Sequence, residues 1–430
     1  MLWALGVGFV ISGEYFGWNL GLPLAGSYGM LAATLVITAL YVTFIFSYTE
    51  LACAIPRAGG VFVYAARALG PFGGFVAGLV QLVEFVFAPP AIAMAIAAYI
   101  TQRFEGLPVE GVAVAAYAMF TLLNIWGVKQ AAVFELVVTV LAVIELLIFV
   151  GIVAPEFQLA RFQEDPLPHG WGGAFAALPF AMWFYLAIEG VANAAEEAKN
   201  PRRDVAIGFG AAILTLVVLT LLVFVFATGV DGWRAIVYPA GSSEASDAPL
   251  PLALAHVVTK SSPWYTLLLG VGLLGLVASF HGIILAAGRA TLELGRSGFA
   301  PRLLGQVHAR THTPVPALLV NMGVGIVAIL SGQTAEIITL SCFGAASLYV
   351  LSMVTLFRLR VLEPNLERPF KAIAYPIFPA IALFIALVVL AAMIYSSPAI
   401  AGVFAAILGG GALYYRRFVH GSADVTWAHR

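Results

Sequence analysis

Four carboxylates stand in stretches that are otherwise almost wholly apolar: Glu14, Glu84, Glu145 and Glu189. No lysine or arginine shares those stretches at similar depth. An acid set among apolar residues needs a proton, a hydrogen-bond donor or a cation delivered from elsewhere. Two of the four sit beside aromatic clusters: Tyr15, Phe16 and Trp18 follow Glu14, and Trp183, Phe184 and Tyr185 precede Glu189. A carboxylate with aromatic faces around it is the chemistry of an ammonium site, combining ion pairing with cation–π attraction. Any one of these rings read alone equally suits helix packing or an interfacial belt, Trp18 above all. Ser12 and Gly13 add a hydroxyl and bare backbone next to Glu14. His281, in Gly275–Gly282, is either a proton relay or a packed, hydrogen-bonded histidine, and its neighbour Phe280 is a further lining candidate. Glu145 reads equally as a coupling group or as a hydrogen-bonding partner of a neighbouring helix, whereas Glu135, soon after Lys129, reads as interfacial.

Other chemistries find no residues to run on. There is no nucleophile–base constellation, no metal-ligand cluster and no phosphate loop, so no cofactor and no metal site is expected, and an enzyme or a non-transporting sensor is the weakest reading. Cys53 and Cys342 lie in separate apolar segments and define no disulfide framework. A net charge of −1 gives nucleic acid nothing to bind.

The elements that must position these residues are membrane helices. Apolar residues make up 62% of the chain, mean hydropathy is +0.98 and only 10% of residues are charged, against about 25% in a soluble domain. With ~20 apolar residues needed to cross the hydrocarbon, the sequence predicts twelve spans near 2–24, 29–54, 71–101, 110–127, 131–154, 172–195, 205–228, 263–288, 315–332, 336–357, 373–396 and 398–415. Asp204 is expected to N-cap the seventh, and the polar interval 229–262 to be a loop holding one short helix near Leu250–Val258. The whole of 1–415 reads as one transmembrane domain with a short tail, 416–430. Met1 leads into an apolar run with no basic segment or cleavage site, which does not suit a removable signal peptide. Of the 21 lysines and arginines, 17 fall on one side of these spans and only Arg103, Arg161, Arg234 and Lys260 on the other. The positive-inside rule then puts both termini in the cytoplasm, and the expected location is a bacterial inner membrane.

The first and sixth spans are interrupted. Gly6-Val-Gly-Phe-Val-Ile-Ser12-Gly13-Glu14-Tyr15-Phe16-Gly17-Trp18 carries four glycines and an acid, and Leu178–Gly190 carries Pro179, Glu189 and Gly190. Glycines of this kind often serve helix packing. Paired interruptions five spans apart, each with a carboxylate, point instead to a transporter site made of discontinuous helices, where freed backbone groups line a cavity.

Three motifs in order carry a family resemblance that covers the chain from end to end. Glu50-Leu-Ala-Cys-Ala-Ile-Pro56-Arg57-Ala-Gly59-Gly60-Val-Phe-Val-Tyr64 with Leu69–Phe75, Glu196-Glu197-Ala-Lys199-Asn200-Pro201-Arg202-Arg203-Asp204, and Arg296-Ser-Gly-Phe-Ala-Pro301 with Thr313-Pro314 resemble hallmarks of the amino acid–polyamine–organocation (APC) transporters. Val10–Asn19, Tyr41–Ser47 and Val83–Ala95 are similar to the ethanolamine permease branch of that family. The resemblance implies a LeuT-type five-plus-five inverted repeat, about 1–154 and 172–357, with two added helices over 373–415. It implies alternating access, with substrate between the broken first and sixth helices, contacted by Ser12, Gly13, Glu14, Phe16, Glu84, Trp183, Tyr185, Glu189 and Phe280, and with Phe184, Glu145 and His281 in gating or coupling. Glu189 matches a position often acidic in the family, which suits a gate or proton switch. Carriers of amino acids in the family typically have Gly-Ser-Gly at the first break, whose N–H groups hold the substrate carboxylate. Here the stretch is Ile11-Ser12-Gly13 followed by Glu14, and an acid there repels a carboxylate. That departure favours a carboxylate-free amine, ethanolamine first, over an amino acid or polyamine. Sodium coupling would need hydroxyl and carbonyl ligands on the first and eighth helices. Ser279 is there without an evident Ser/Thr pair, and the fifth helix lacks the lysine that replaces the ion in some members, so proton symport or exchange is expected.

Overall fold

The apolar runs do become helices, and almost nothing else. A computed structural model describes residues 2–57, 59–104, 106–127, 131–197 and 200–419. Among the described residues the chain is helical with no strand. The first half runs α1 (Leu2–Val10), α2 (Ser12–Tyr15), α3 (Leu22–Ala54), α4 (Val61–Thr101), α5 (Val109–Trp126) and α6 (Ala131–Val153). Short α7 (Leu159–Phe162), α8 (Gly170–Ala176) and α9 (Leu178–Met182) lead to α10 (Pro201–Gly229), and then come α11 (Trp233–Val237) and α12 (Pro249–Val257). Long helices return with α13 (Pro263–Arg296), α14 (Val315–Ile329), α15 (Thr334–Leu362), α16 (Ile377–Ser396) and α17 (Pro398–Tyr414).

Nine helices among the described residues are long and apolar enough to cross a membrane, and the pair from Gly170 to Ala192, bent by 47°, makes a tenth. Two further apolar helices, Leu2–Tyr15 and Val315–Ile329, are shorter than that. The 33-residue α3 is divided by Gly26, whose φ of 65° takes the backbone out of the helix. The 41-residue α4 is divided in the same way at Gly70, at φ 80°. These divisions fall where the sequence predicts boundaries between spans or before a span. The short helix expected near Leu250–Val258 is α12. The cap expected at Asp204 is not found. Pro201 starts α10 after Asn200, and Asp204 sits in the first turn with its carboxylate accepting from the Asn200 N–H at 3.0 Å. Proline suits a first helical position because it has no N–H to leave orphaned. Lys129, Lys199 and residues 420–430, with the side chains of Glu135, Glu196, Glu197 and Arg202, lie outside the described residues.

The polarity of the bundle is that of a protein solvated by lipid. Leu35, Leu141, Ile144, Leu214, Val327 and Phe384 are exposed along the outer helix faces, while Trp126, Trp171, Trp264 and Tyr395 are exposed at or near helix ends. Aromatic rings at both rims of an apolar belt suit a membrane–water interface. The interior, in contrast, buries Glu14, Glu84, Glu145, Glu189 and many serine and threonine hydroxyls. Small residues let the central helices close on each other. A Cβ at Gly344 of α15 would meet the backbone N of Glu84 at 2.6 Å, so α15 and α4 run in backbone contact, as small residues permit in membrane bundles.

Candidate functional site

The two interrupted helices meet, and the acids lie around the meeting point. From Leu2 to Tyr15 the first helix stays nearly continuous, with Glu14 N–H donating to the Ile11 carbonyl. It opens one turn later than the Ile11-Ser12-Gly13 stretch suggests: Phe16 is fully extended and Gly17 takes φ 91°. Polar groups freed there have partners within the protein, as buried backbone requires. The Gly17 N–H donates to Asn19 Oδ1 at 3.1 Å, Trp18 Nε1 donates to the Glu14 carbonyl at 3.2 Å, and the Tyr99 hydroxyl donates to the Tyr15 carbonyl at 3.0 Å. In the second interruption Leu186 is extended (ψ 140°) and Ala187 adopts φ 73°, between the Trp183–Tyr185 turn and a 3-10 stretch over Ile188–Glu197. The freed Ala187 N–H donates to Glu84 Oε1 at 3.2 Å, a carboxylate at the start of a helical stretch where donors and dipole both favour it.

Gly13 is where the two breaks touch. A Cβ at Gly13 would stand 2.3 Å from the Trp183 carbonyl oxygen and 2.9 Å from Phe184 Cα, both backbone. We expect Gly13→Ala to wedge the broken helices apart at a cost of about 1–3 kcal/mol and to lower uptake by about fivefold to a hundredfold by the same energy. Gly210→Ala, whose Cβ would meet only a Phe46 ring atom at 3.7 Å, is the control that should transport normally.

Glu14 is fully buried and its carboxylate faces α10. Thr220 Oγ1 donates to Oε1 at 2.9 Å, and Oε2 has no partner. The rings named from sequence do gather here. Phe16 packs edge-on to Trp183, Trp18 stacks on Phe184 at 5.7 Å between centroids, and Tyr185 lies within hydrogen-bonding reach of Thr220 and Thr38. Trp183 Nε1, like Glu14 Oε2, is buried without a partner. Thr220 and Thr38 were not singled out from sequence, since hydroxyls are frequent in these helices and nothing in their spacing points inward.

Glu84 and Glu189 are also buried, but they face each other rather than Glu14. Glu189 Oε2 accepts from the Tyr349 hydroxyl at 3.1 Å, Glu84 Oε1 accepts from Ala187, and the two carboxyl groups are within hydrogen-bonding reach of each other. Tyr349 also meets the Tyr41 hydroxyl at 2.9 Å.

Three expected site residues sit elsewhere. The face of α13 turned to the first helix carries Gly275, Ser279 and Gly282, which meet Tyr15, Ser12 and Phe9. Phe280, one position on and so rotated by about 100°, instead packs on Tyr117 and Phe120 of α5. His281 is turned further still and its Nδ1 meets Asn124 Nδ2 at 3.0 Å, the packed and hydrogen-bonded alternative. Glu145 accepts from the Tyr15 hydroxyl at 2.6 Å, which ties α6 to the first helix. Ser12, expected to offer its hydroxyl to substrate, is engaged with Ser279 at 2.8 Å, and Ser279 donates to the Phe9 carbonyl at 2.6 Å. α2 and α13 therefore do hold a serine pair, one serine on each, which no spacing within either helix reveals.

Among the described residues no ion pair reaches any of these four acids. A cavity of about 810 Å³ opens at one end of the bundle, reaching Leu20 just past the first break. Glu110, Glu244, Asp247 and Glu336 line it, and none of its described lining residues is basic. Asp247 is half-buried; burial pushes its carboxyl up to about 6, against the Thr334 hydroxyl that donates to it at 2.7 Å.

An apolar-faced helical bundle with two interrupted helices meeting around buried acids defines a multi-pass membrane transporter. The chain belongs to the Amino acid permease family, whose model it matches over residues 2–413, and so to the APC superfamily that its motifs resemble. An uncharacterized transporter of Rhizobium meliloti is 30% identical over 350 residues, covering 79% of this chain and 73% of that one. The branched-chain amino acid permease BcaP of Bacillus subtilis is 26% identical, covering 89% and 84%. The human cystine/glutamate transporter is also 26% identical, covering 86% and 74%.

Proposed function

We propose that this protein is a secondary active transporter that imports a small organic amine, ethanolamine foremost, across a bacterial inner membrane, coupled to protons or by exchange. Twelve spans, two inverted five-helix repeats and cytoplasmic termini complete the reading. The nine long helices, the bent pair and the two shorter ones support the count, and the 17-to-4 distribution of basic residues supports the orientation. The observation that carries the substrate is Glu14: a buried carboxylate with an unpartnered oxygen, no ion-pair partner among the described residues, and Phe16, Trp18, Trp183, Phe184 and Tyr185 around the break that holds it. An ammonium supplies the missing charge and meets ring faces. The ethanolamine hydroxyl would find Tyr185 or backbone groups at the breaks. Rocking of the first, second, sixth and seventh helices would open the site to each side in turn, with the stacked Trp18 and Phe184 as the lid.

The amino-acid carriers among the relatives favour a second reading, an amino acid or polyamine as cargo. Uptake of labelled ethanolamine into proteoliposomes, challenged with alanine, arginine and putrescine, separates the two. Ethanolamine uptake that resists all three supports the amine reading; competition by any of them stronger than that of unlabelled ethanolamine refutes it.

The acidic cavity would be the outer mouth, concentrating cations by its field. Asp247 is protonated below about pH 6 and charged above it, so raising external pH from 5 to 7 adds one negative charge beside the entrance. The expected result is a KM for ethanolamine that falls across this interval at low salt. Asp247→Asn should remove that component, and screening by salt should flatten it in both.

A further inference from the structure

We infer that Glu84 and Glu189 together form a one-proton seat, separate from the ammonium site at Glu14, which latches the broken helix shut and carries the coupling ion. The coupling role rests on the transport reading above; the shared proton itself does not.

Each carboxyl has one oxygen committed and one orphaned. Glu84 Oε1 takes the Ala187 N–H, and Glu189 Oε2 takes the Tyr349 O–H. Glu84 Oε2 and Glu189 Oε1 have no donor, although both side chains are at most 1% exposed and the two carboxyls lie within hydrogen-bonding reach of each other. Buried polar atoms are almost always partnered, and two orphaned acceptors at this separation are both satisfied by a single proton between them. Two carboxylates so close cannot both be ionised, which is how like-charged acid pairs come to share one proton. The titratable groups around the pair among the described residues offer no counter-charge. Tyr41 and Tyr48 face the pair from α3, and Tyr349 and Cys342 face it from α15; all are neutral hydroxyls or a thiol.

The position of the pair gives the proton leverage. Glu84 belongs to α4, whose backbone at this residue touches Gly344 of α15 and whose Glu84 carbonyl accepts from Ser341 at 2.8 Å. Glu189 and Ala187 belong to the interrupted segment. With the proton in place, α4 and α15 hold that segment through Ala187, Tyr349 and the shared hydrogen bond. When the proton leaves to water, two anions face each other in a dry contact and push the segment away from α4. One proton is taken up and released per cycle, and no covalent bond other than O–H changes.

Glutamine is a close mimic of the protonated state. In Glu84→Gln the amide oxygen can keep the Ala187 N–H while the NH₂ donates to Glu189. In Glu189→Gln the oxygen keeps Tyr349 while the NH₂ donates to Glu84. The mimicked proton cannot leave.

The test uses the full chain in proteoliposomes and compares, within each variant, uptake of labelled ethanolamine driven by an imposed pH gradient with ethanolamine–ethanolamine exchange at equal pH. In wild type a gradient of one unit should raise this ratio by up to about tenfold. In Glu84→Gln and in Glu189→Gln the ratio should be independent of the gradient. A wild-type response in either variant overturns the proposal. For a variant that moves no amine, infrared spectroscopy of the purified protein in lipid decides. A titrating carboxylic-acid C=O band that either single substitution removes equally, with nothing further lost in the double variant, supports the shared proton. Two bands removed independently, or no such band in wild type, overturns it. If wild type moves no ethanolamine in either assay, the substrate reading fails while the infrared result still decides the proton seat.

Discussion

Glu14→Gln should lower ethanolamine uptake by about a hundredfold while leaving the protein folded. The carboxylate is fully buried, Thr220 holds one of its oxygens, and the other is open to a ligand. An ammonium placed there pairs with a carboxylate that no ion pair reaches among the described residues, in surroundings made of rings, backbone and the Thr220 hydroxyl. Removing one partner of a buried, hydrogen-bonded charge pair costs about 2–5 kcal/mol, and about 3 kcal/mol is a hundredfold in affinity. Glutamine keeps the shape and still accepts from Thr220 through its amide oxygen, so the loss should fall on substrate and not on thermal stability. The measurement is initial uptake and KM in proteoliposomes beside a melting curve in detergent. Uptake unchanged by Glu14→Gln would remove this acid from the site altogether.

The second large effect is on stability, and it lies far from the acids just discussed. Glu50, in the last turns of α3, has 1% of its side chain exposed, accepts three hydrogen bonds and pairs with a second guanidinium. Arg360 of α15 grips it with Nε at 2.8 Å and Nη2 at 2.5 Å, Arg368 Nε approaches to 3.0 Å, and the Ala372 N–H donates at 2.7 Å. Arg360 also lies over the Tyr375 ring at 3.9 Å. Glu50→Ala would leave two guanidinium groups and an N–H facing an emptied site. Breaking a buried pair from one side costs about 3–5 kcal/mol, so the melting temperature should drop by several degrees or the protein should fail to assemble. Glu363 offers the comparison. It makes the same two-pronged contact with Arg67, at 2.7 and 2.6 Å, but both side chains are about 30% exposed. Solvent screening reduces such a pair to about 1 kcal/mol or less, and Glu363→Ala should hardly move the melt. Equal shifts from the two substitutions would contradict this account of the Glu50-to-Tyr64 motif, whose first residue the structure makes a tie between α3 and the α15–α16 connection.

Much of this arrangement was legible in the residues. Hydropathy marks the apolar helices because lipid excludes charge, and the glycine- and proline-bearing stretches with an embedded acid mark the two interruptions. Side-chain direction was not legible. A helix turns 100° per residue, so assigning α13 to the site does not say which of Ser279, Phe280 and His281 faces it, and only Ser279 does. Nor can spacing along one helix reveal partners on another. Thr220 for Glu14, Ser279 for Ser12, Tyr15 for Glu145 and Glu189 for Glu84 all meet across 100 residues or more. The first break was also displaced by a turn, because Ile11-Ser12-Gly13 remains helical once Gly13 packs on the Trp183 carbonyl, and the chain opens at Gly17, where only a glycine takes φ 91° without strain.

The central claim is that Glu14 excludes a carboxylate from a site built for an ammonium. L-Serine is ethanolamine with a carboxylate added to the amine-bearing carbon, so the pair isolates that one group. The direct measurement is inhibition of labelled ethanolamine uptake by unlabelled ethanolamine and by L-serine, in wild type and in Glu14→Gln. The account predicts that serine competes at least about a hundredfold more weakly in wild type and that the gap narrows in the variant, where the repelling charge is gone. Serine competing as well as ethanolamine in wild type would contradict it and make this an amino-acid carrier.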